Sequence, residues 1–303
     1  MRFWFAPSAP DDLGLSRVLF FGGLLLMYGP VDFSAWGKVA PAFWMPLPAF
    51  ETLHLAPAGV RGLTVVQFAW RLALLTSALG YHARASMTAA FVLGFYLLGL
   101  PHNFGHTFHF DATLVIAMGI LAFSRAGDAW SVDSALDRRE VPPSGEYTWP
   151  IRAIWLAMSL VFFAAALAKL RHGGLAWAFS DNLSIILTRA AYHVSDADPI
   201  GTLGLTIARH RWLTELLAVS TLVIELGFIT ALFSRWARLV FVPAGFALLV
   251  GIRVLMGPTF GGFLTANVFW VPWSALLDAI AAPVRVKGEA ARAASTTDIP
   301  TPL

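Results

Sequence analysis

The chain has 303 residues, 57% of them hydrophobic and only 13% charged, with a mean hydropathy of +0.68. Soluble domains carry about 25% charged residues, so this balance excludes an ordinary soluble enzyme and places most of the chain in a bilayer. No cysteine is present, which excludes disulfides, thiolate metal sites and cysteine nucleophiles; the net charge of +3 lacks the dense basic run that nucleic-acid binding needs.

The opening MRFWFAPSAPDDLG breaks its apolar character with two prolines and two aspartates, which is not the pattern of a signal peptide. The run after it is expected to remain as the first membrane helix. Apolar runs of spanning length fall at 15–31, 60–80, 85–101, 110–124, 151–170, 212–233, 237–256 and 262–280. The expected fold class is therefore all-α: a polytopic transmembrane helix bundle of about eight membrane helices. Counts of seven or nine follow if VAPAFWMPLPAFETLHL or 183–207 is assigned differently, since both read as interfacial. Residues 1–282 form the expected membrane domain. The remainder, 283–303, is small, polar and proline-containing and reads as a solvated tail. Twelve Trp and twenty-four Phe suit a lipid-facing surface with interfacial anchors.

Arginine and lysine placement sets the expected orientation. With the N-terminus inside, Arg17, Arg84, Arg125, Arg138, Arg139, Arg152, Arg235 and Arg238 fall on the inner side, as does the basic tail. The connections 102–109 and 257–261 carry neither residue. Both termini are thus expected in the cytoplasm. The 170–211 connection, with Arg171, Arg189, Arg209 and Arg211, departs from the pattern.

Chemistry-bearing residues stand out against this background. Lys169 closes an apolar run in AALAKLRHGG, where a charge either snorkels to the headgroups or serves a function. In an apolar cavity, loss of solvation would favour the neutral amine, a competent general base. The stretch LPHNFGHTFHFD holds His102, His106, His109 and Asp111. On a helix its histidines would share one face at metal-ligating spacing, but Pro101 and Gly105 favour a loop. No metal site is expected, because the other histidines are scattered singly. Arg71, Glu225 and Arg253 sit mid-helix, so they are expected to face the bundle interior and pair, Glu225 with Arg71 or Arg253. They either fix helix register or line a polar substrate cavity. In GDAWSVDSALDRR, an interfacial Trp130 precedes Ser131 and Asp133, which read as helix N-caps.

Taken in order, SRVLFFGGLLLMYG, WRLALLTSALGYHARAS, the histidine-bearing connection, AFSRAGDAWSVDSAL, AALAKL, LAWAFSDNLSIIL with Trp177, and VIELG resemble the HTTM domain. This is the membrane domain of the vitamin K-dependent gamma-carboxylase family. The WSVD segment and the KL…W pair are the most specific, and the likeness spans roughly residues 14 to 275. The resemblance implies that Lys169, immediately before Leu170, is the base that starts catalysis. It would help deprotonate a reduced naphthoquinone of the vitamin K type, which then reacts with oxygen. The strong base so formed takes a proton from a substrate glutamate, and the carbanion adds carbon dioxide. His106 or His109 would be the assisting histidine. Arg71, Asp111, Trp177, Glu225 and Arg253 are the residues expected at a substrate or cofactor cavity.

Two departures bear on that implication. The carboxylases carry a large soluble region that grips the substrate's propeptide, and only the 283–303 tail follows the last run here. Where the carboxylases place a late histidine, this sequence reads FALLVGIRVLMGPTF, with Arg253 nearby. Three functional classes stay open. The first is a carboxylase-like lyase and oxygenase acting on a peptide or protein. The second is a non-catalytic quinone- or lipid-binding partner of a redox protein. The third is a small-solute transporter, disfavoured because no inverted repeat or paired broken helix is visible. The resemblance to bare bacterial HTTM domains implies a bacterial inner membrane.

Overall fold

The computed structural model describes residues 3–105, 111–138, 141–193, 201–258 and 260–280. Each apolar run of the sequence is helical in it. In chain order the helices are α1 (Asp11–Tyr28), α2 (Pro48–Thr52), α3 (Val60–Leu79), α4 (Ala83–Gly99), α5 (Ala112–Ala122), α6 (Val132–Asp137) and α7 (Thr148–Gly173). They continue as α8 (Ala176–Phe179), α9 (Asn182–His193), α10 (Gly201–Ala208), α11 (Arg211–Gly227), α12 (Arg235–Met256) and α13 (Gly261–Ala266). Among the described residues no strand forms; a single β-bridge joins Ser8 to Ser144.

Five helical segments are long and apolar enough to cross a membrane: Val60–Leu79, Ala83–Asn103, Gly145–Gly173, Arg211–Leu232 and Arg235–Met256. A sixth results if Gly261–Trp270 and Trp273–Ile280, bent by 68°, count as one span. The chain is therefore a polytopic helical bundle. The other two runs differ for physical reasons. α1 carries Asp11, Asp12 and Arg17. α5 has 11 residues, roughly 17 Å of helix against a hydrocarbon core of about 30 Å.

Local chemistry accounts for the helix ends. α3 stops at Gly80, whose φ of +68° is the left-handed cap that glycine adopts without strain. Ser131 accepts from the Ser134 amide at 2.8 Å in a capping box that opens α6, as the sequence leads one to expect. Asp133 does something less local. Its carboxylate accepts from the amides of His82 (2.9 Å) and Ala83 (2.7 Å), capping α4 from 50 residues away. The WSVD segment thus staples α4 to α6.

The main core runs through α1, α3, α4, α5, α7 and α13, with Phe20, Trp70, Met87, Leu114, Met158 and Phe263 at its centre. A smaller cluster of Ala166, Ala178, Ala218 and Leu222 forms where α7, α8 and α11 meet. Small residues there let α7 and α11 approach closely. The starts of α1, α4, α7 and α12 gather at one end of the bundle, tied by Ser8–Ser144, by Arg17 and by Ser274 N donating to Asp12. The other end holds Tyr28, His102 and Asp111.

Candidate functional site: a lysine–glutamate pair at an apolar cavity

Lys169 stands on the last turns of α7 and Glu225 near the end of α11. In a helix every Cα–Cβ bond tilts toward the N-terminus. The Lys169 side chain therefore starts back along α7, away from the helix end. Its Nζ lies 2.6 Å from Oε1 and 2.8 Å from Oε2 of Glu225. The Trp177 ring lies 5.4 Å from the same nitrogen, within cation–π range. The Lys169 side chain is 24% exposed and that of Glu225 7%. A lysine that snorkelled to the headgroups would leave this carboxylate unpaired; here it turns inward instead.

Lys169 and Glu225 form the polar part of the wall of a cavity of about 130 Å³. Phe162, Ala165, Leu249 and Phe263 supply apolar wall. Two opposite charges in such surroundings hold one another in place, because either one alone would face the full cost of burial. The arrangement can pass a proton across 2.6 Å. That transfer converts ammonium and carboxylate into amine and carboxylic acid and leaves the net charge of the pair unchanged.

Glu225 was expected to pair with Arg71 or Arg253, and that pairing is corrected: Lys169 takes both carboxylate oxygens. The reason is packing. α7 and α11 are neighbours, whereas α3, which bears Arg71, packs on α1 and α4. Arg71 donates from Nη2 to the Val31 carbonyl at 2.7 Å. Arg253 donates from Nη1 to the Gly257 carbonyl at 3.0 Å, capping its own helix, while its neighbour Ile252 reaches the cavity. Asp111 accepts the hydroxyl hydrogen of Tyr28 and lies 3.7 Å from His102 Nε2. The structure therefore brings Lys169, Trp177 and Glu225 together, and places Arg71, Asp111 and Arg253 elsewhere.

His106 and His109 lie outside the described residues. The segment leading to them is not a continuing helix: a 3₁₀ turn ends at Asn103, and Gly105 has a φ of +87°. Up to residue 105 the chain departs from a regular α-helix, as Pro101 and Gly105 favoured. Among the described residues, no group of three or more His, Asp or Glu stands close enough to hold a metal.

Sequence reasoning used Arg17 only as a marker of the inner side and missed its structural part. Its side chain is fully buried, at 0% exposure. The guanidinium donates to the carbonyls of Ala126 (3.0 Å), Ser77 (2.5 Å), Ala78 (3.1 Å) and Trp130 (2.5 Å). Five donors in a fixed fork suit such a convergence of helix and turn carbonyls. The available signal was an arginine inside the first apolar run, soon after Asp11 and Asp12.

Comparison with curated proteins returned no match, and comparison with solved structures returned none either. A family model does match: the HTTM domain, over residues 5–255. The match takes in the WSVD staple, Arg17, Lys169, Trp177 and Glu225 together, across most of the chain. The chain belongs to the HTTM domain family.

Proposed function

We propose that this HTTM protein is a carboxylase-like membrane protein in which Lys169 acts as a general base at an apolar, quinone- or lipid-accessible cavity. The observation that carries the reading is the contact of Lys169 Nζ with both oxygens of Glu225 at the cavity wall. For Lys169 to act as a base its proton must first pass to Glu225, because the neutral amine is a base and the ammonium is not. The Trp177 ring lies 5.4 Å from the same nitrogen.

The lining suits an aromatic ring in kind: Phe162 and Phe263 would hold the ring of a reduced naphthoquinone, and Lys169 would meet its hydroxyl. In size, about 130 Å³ corresponds to part of such a ligand; sites for drug-sized molecules run from roughly 300 to 1,000 Å³. The quinone, when bound, supplies the oxygen chemistry. The protein's part is to take a proton, orient the ring and exclude water. His106 or His109 is proposed as the assisting histidine, and a peptide or protein glutamate as the acceptor. Both termini are assigned to the cytoplasm of a bacterial inner membrane, with α1 and α5 completing about eight membrane helices.

The test is oxygen-dependent oxidation of a reduced naphthoquinone by the purified protein. Lys169→Ala is expected to lower epoxide formation by about 10²–10⁴-fold, the usual contribution of a positioned base. Absence of turnover by folded wild-type protein overturns the reading. In that case the same pair supports a second one: the close bidentate contact clasps α7 to α11 in a non-catalytic quinone- or lipid-binding partner of a redox protein. Quinone binding that survives without turnover would mark that outcome.

A further inference from the structure

A larger cavity of about 470 Å³ lies at the other end of the bundle, where the N-terminal segment meets the starts of α7 and α12. Three arginines line it: Arg152 from α7, and Arg235 and Arg238 from α12. Among the described residues, none of the three has a carboxylate within ion-pairing distance. Each lies instead against a ring. Arg238 stands 4.9 Å from Trp155, Arg152 stands 4.6 Å from Phe3, and Arg235 stands 4.9 Å from Trp236.

The floor beneath them is rigid. Trp155 stacks on Trp270 with ring centroids 4.6 Å apart and planes 1° from parallel, and its indole donates to the Phe269 carbonyl at 2.7 Å. Asp12 also lines the cavity, but one of its oxygens is engaged by the Ser274 amide. Three cations against one carboxylate leave the pocket positive.

We infer that this pocket binds the phosphate group of an anionic membrane lipid. Arginine forks match phosphate oxygens bidentately, and guanidinium groups stacked on aromatic rings are already oriented to use them. Volume fits a headgroup, lying within the roughly 300–1,000 Å³ range of small-ligand sites. The flank decides between a lipid and a free phosphate ester. Only 11% of the apolar window of α12 is buried, and Leu239 at the pocket's edge is exposed beside Val240. An acyl chain leaving the pocket therefore meets a lipid-facing helix, and basic pockets on the positive side of a membrane protein face the anionic leaflet.

The full-length protein in detergent is incubated with equal amounts of palmitoyl-oleoyl-phosphatidylglycerol and the matching phosphatidylcholine, and bound lipid is read by native mass spectrometry. Wild type is expected to retain the anionic phosphatidylglycerol preferentially. Arg235→Gln, whose side chain is exposed and lies against the Trp236 ring, is expected to lower that preference about fivefold. The double variant Arg235→Gln with Arg238→Gln is expected to lower it roughly 30-fold, its thermal unfolding serving as the check on folding. Equal retention of both lipids by wild type, or a preference unchanged in folded variants, overturns the inference. Displacement of the phosphatidylglycerol by millimolar inorganic phosphate also overturns it, and reassigns the pocket to a soluble phosphate ester.

Discussion

Arg17 and Lys169 are both cations set into apolar surroundings, and the two sites resolve the cost of that burial in different ways. Arg17 is closed off completely and spends its donors on five backbone carbonyls from the end of α3 and the turn after α5. No carboxylate pairs with it within 4 Å among the described residues. Lys169 keeps partial exposure, faces a cavity, and is matched by one carboxylate and one ring. Backbone carbonyls cannot accept a proton near neutral pH, whereas a carboxylate can. The first site is consequently suited to holding elements together and the second to moving a proton.

The sharpest way to break this comparison is at Arg17. Arg17→Ala leaves several buried carbonyls without donors and is expected to destabilise the protein by about 3–5 kcal/mol, read as a large fall in thermal unfolding temperature in detergent. Survival with unchanged stability would remove Arg17 from its assigned part.

At the second site the expected pattern is a cycle. Glu225→Leu alone strands the Lys169 charge and is expected to cost about 3 kcal/mol. Adding Lys169→Met replaces the pair by apolar side chains of similar size and is expected to bring the loss to within about 1 kcal/mol of wild type. Base activity should be absent from the double variant even so. A double variant as unstable as the single one would mean that the pair serves architecture, as Arg17 does.

Smaller effects sharpen the Arg17 side. An added methyl at Gly80 would sit 2.3 Å from Ser131 Cβ and 2.6 Å from Arg17 Nη1, at a φ of +68°. Gly80→Ala is expected to cost about 2 kcal/mol, measured by thermal unfolding. Asp133→Ala removes the cap on α4 and is expected to cost about 1 kcal/mol. Neither change should alter the quinone chemistry proposed at Lys169, and a parallel loss of that activity at native stability would link the two regions.

Much of this was legible in residues read in order. Apolar runs of spanning length marked the helices, because in lipid every backbone donor must be satisfied within its own segment. Ser131 marked a helix end for an equally local reason. Lys169 could be singled out, since a charge at the end of an apolar run is rare, and Trp177 through the family resemblance. The partner of Lys169 could not. Arg71, Arg253 and Lys169 were all cations that Glu225 could have met, and helical periodicity says nothing about which helix lies alongside which. Packing of Ala166 against Ala218 and Leu222 brings α7 to α11 and so settles that choice.

Asp133 and Arg17 teach the same lesson from the other direction. Their sequence neighbours suggested a local cap and a topology marker, while their actual partners lie 50 to 113 positions away. Sequence by itself determined that this chain is a helical membrane protein, where its long apolar helices lie, and which charges stand out in them. Tertiary structure alone decided which charges meet, which cavity they face, and which arginines share a pocket. The physical reason is range: hydrophobic periodicity and capping act within a few residues of the chain, whereas ion pairs and cavities are set by distances in space that only the packed bundle defines.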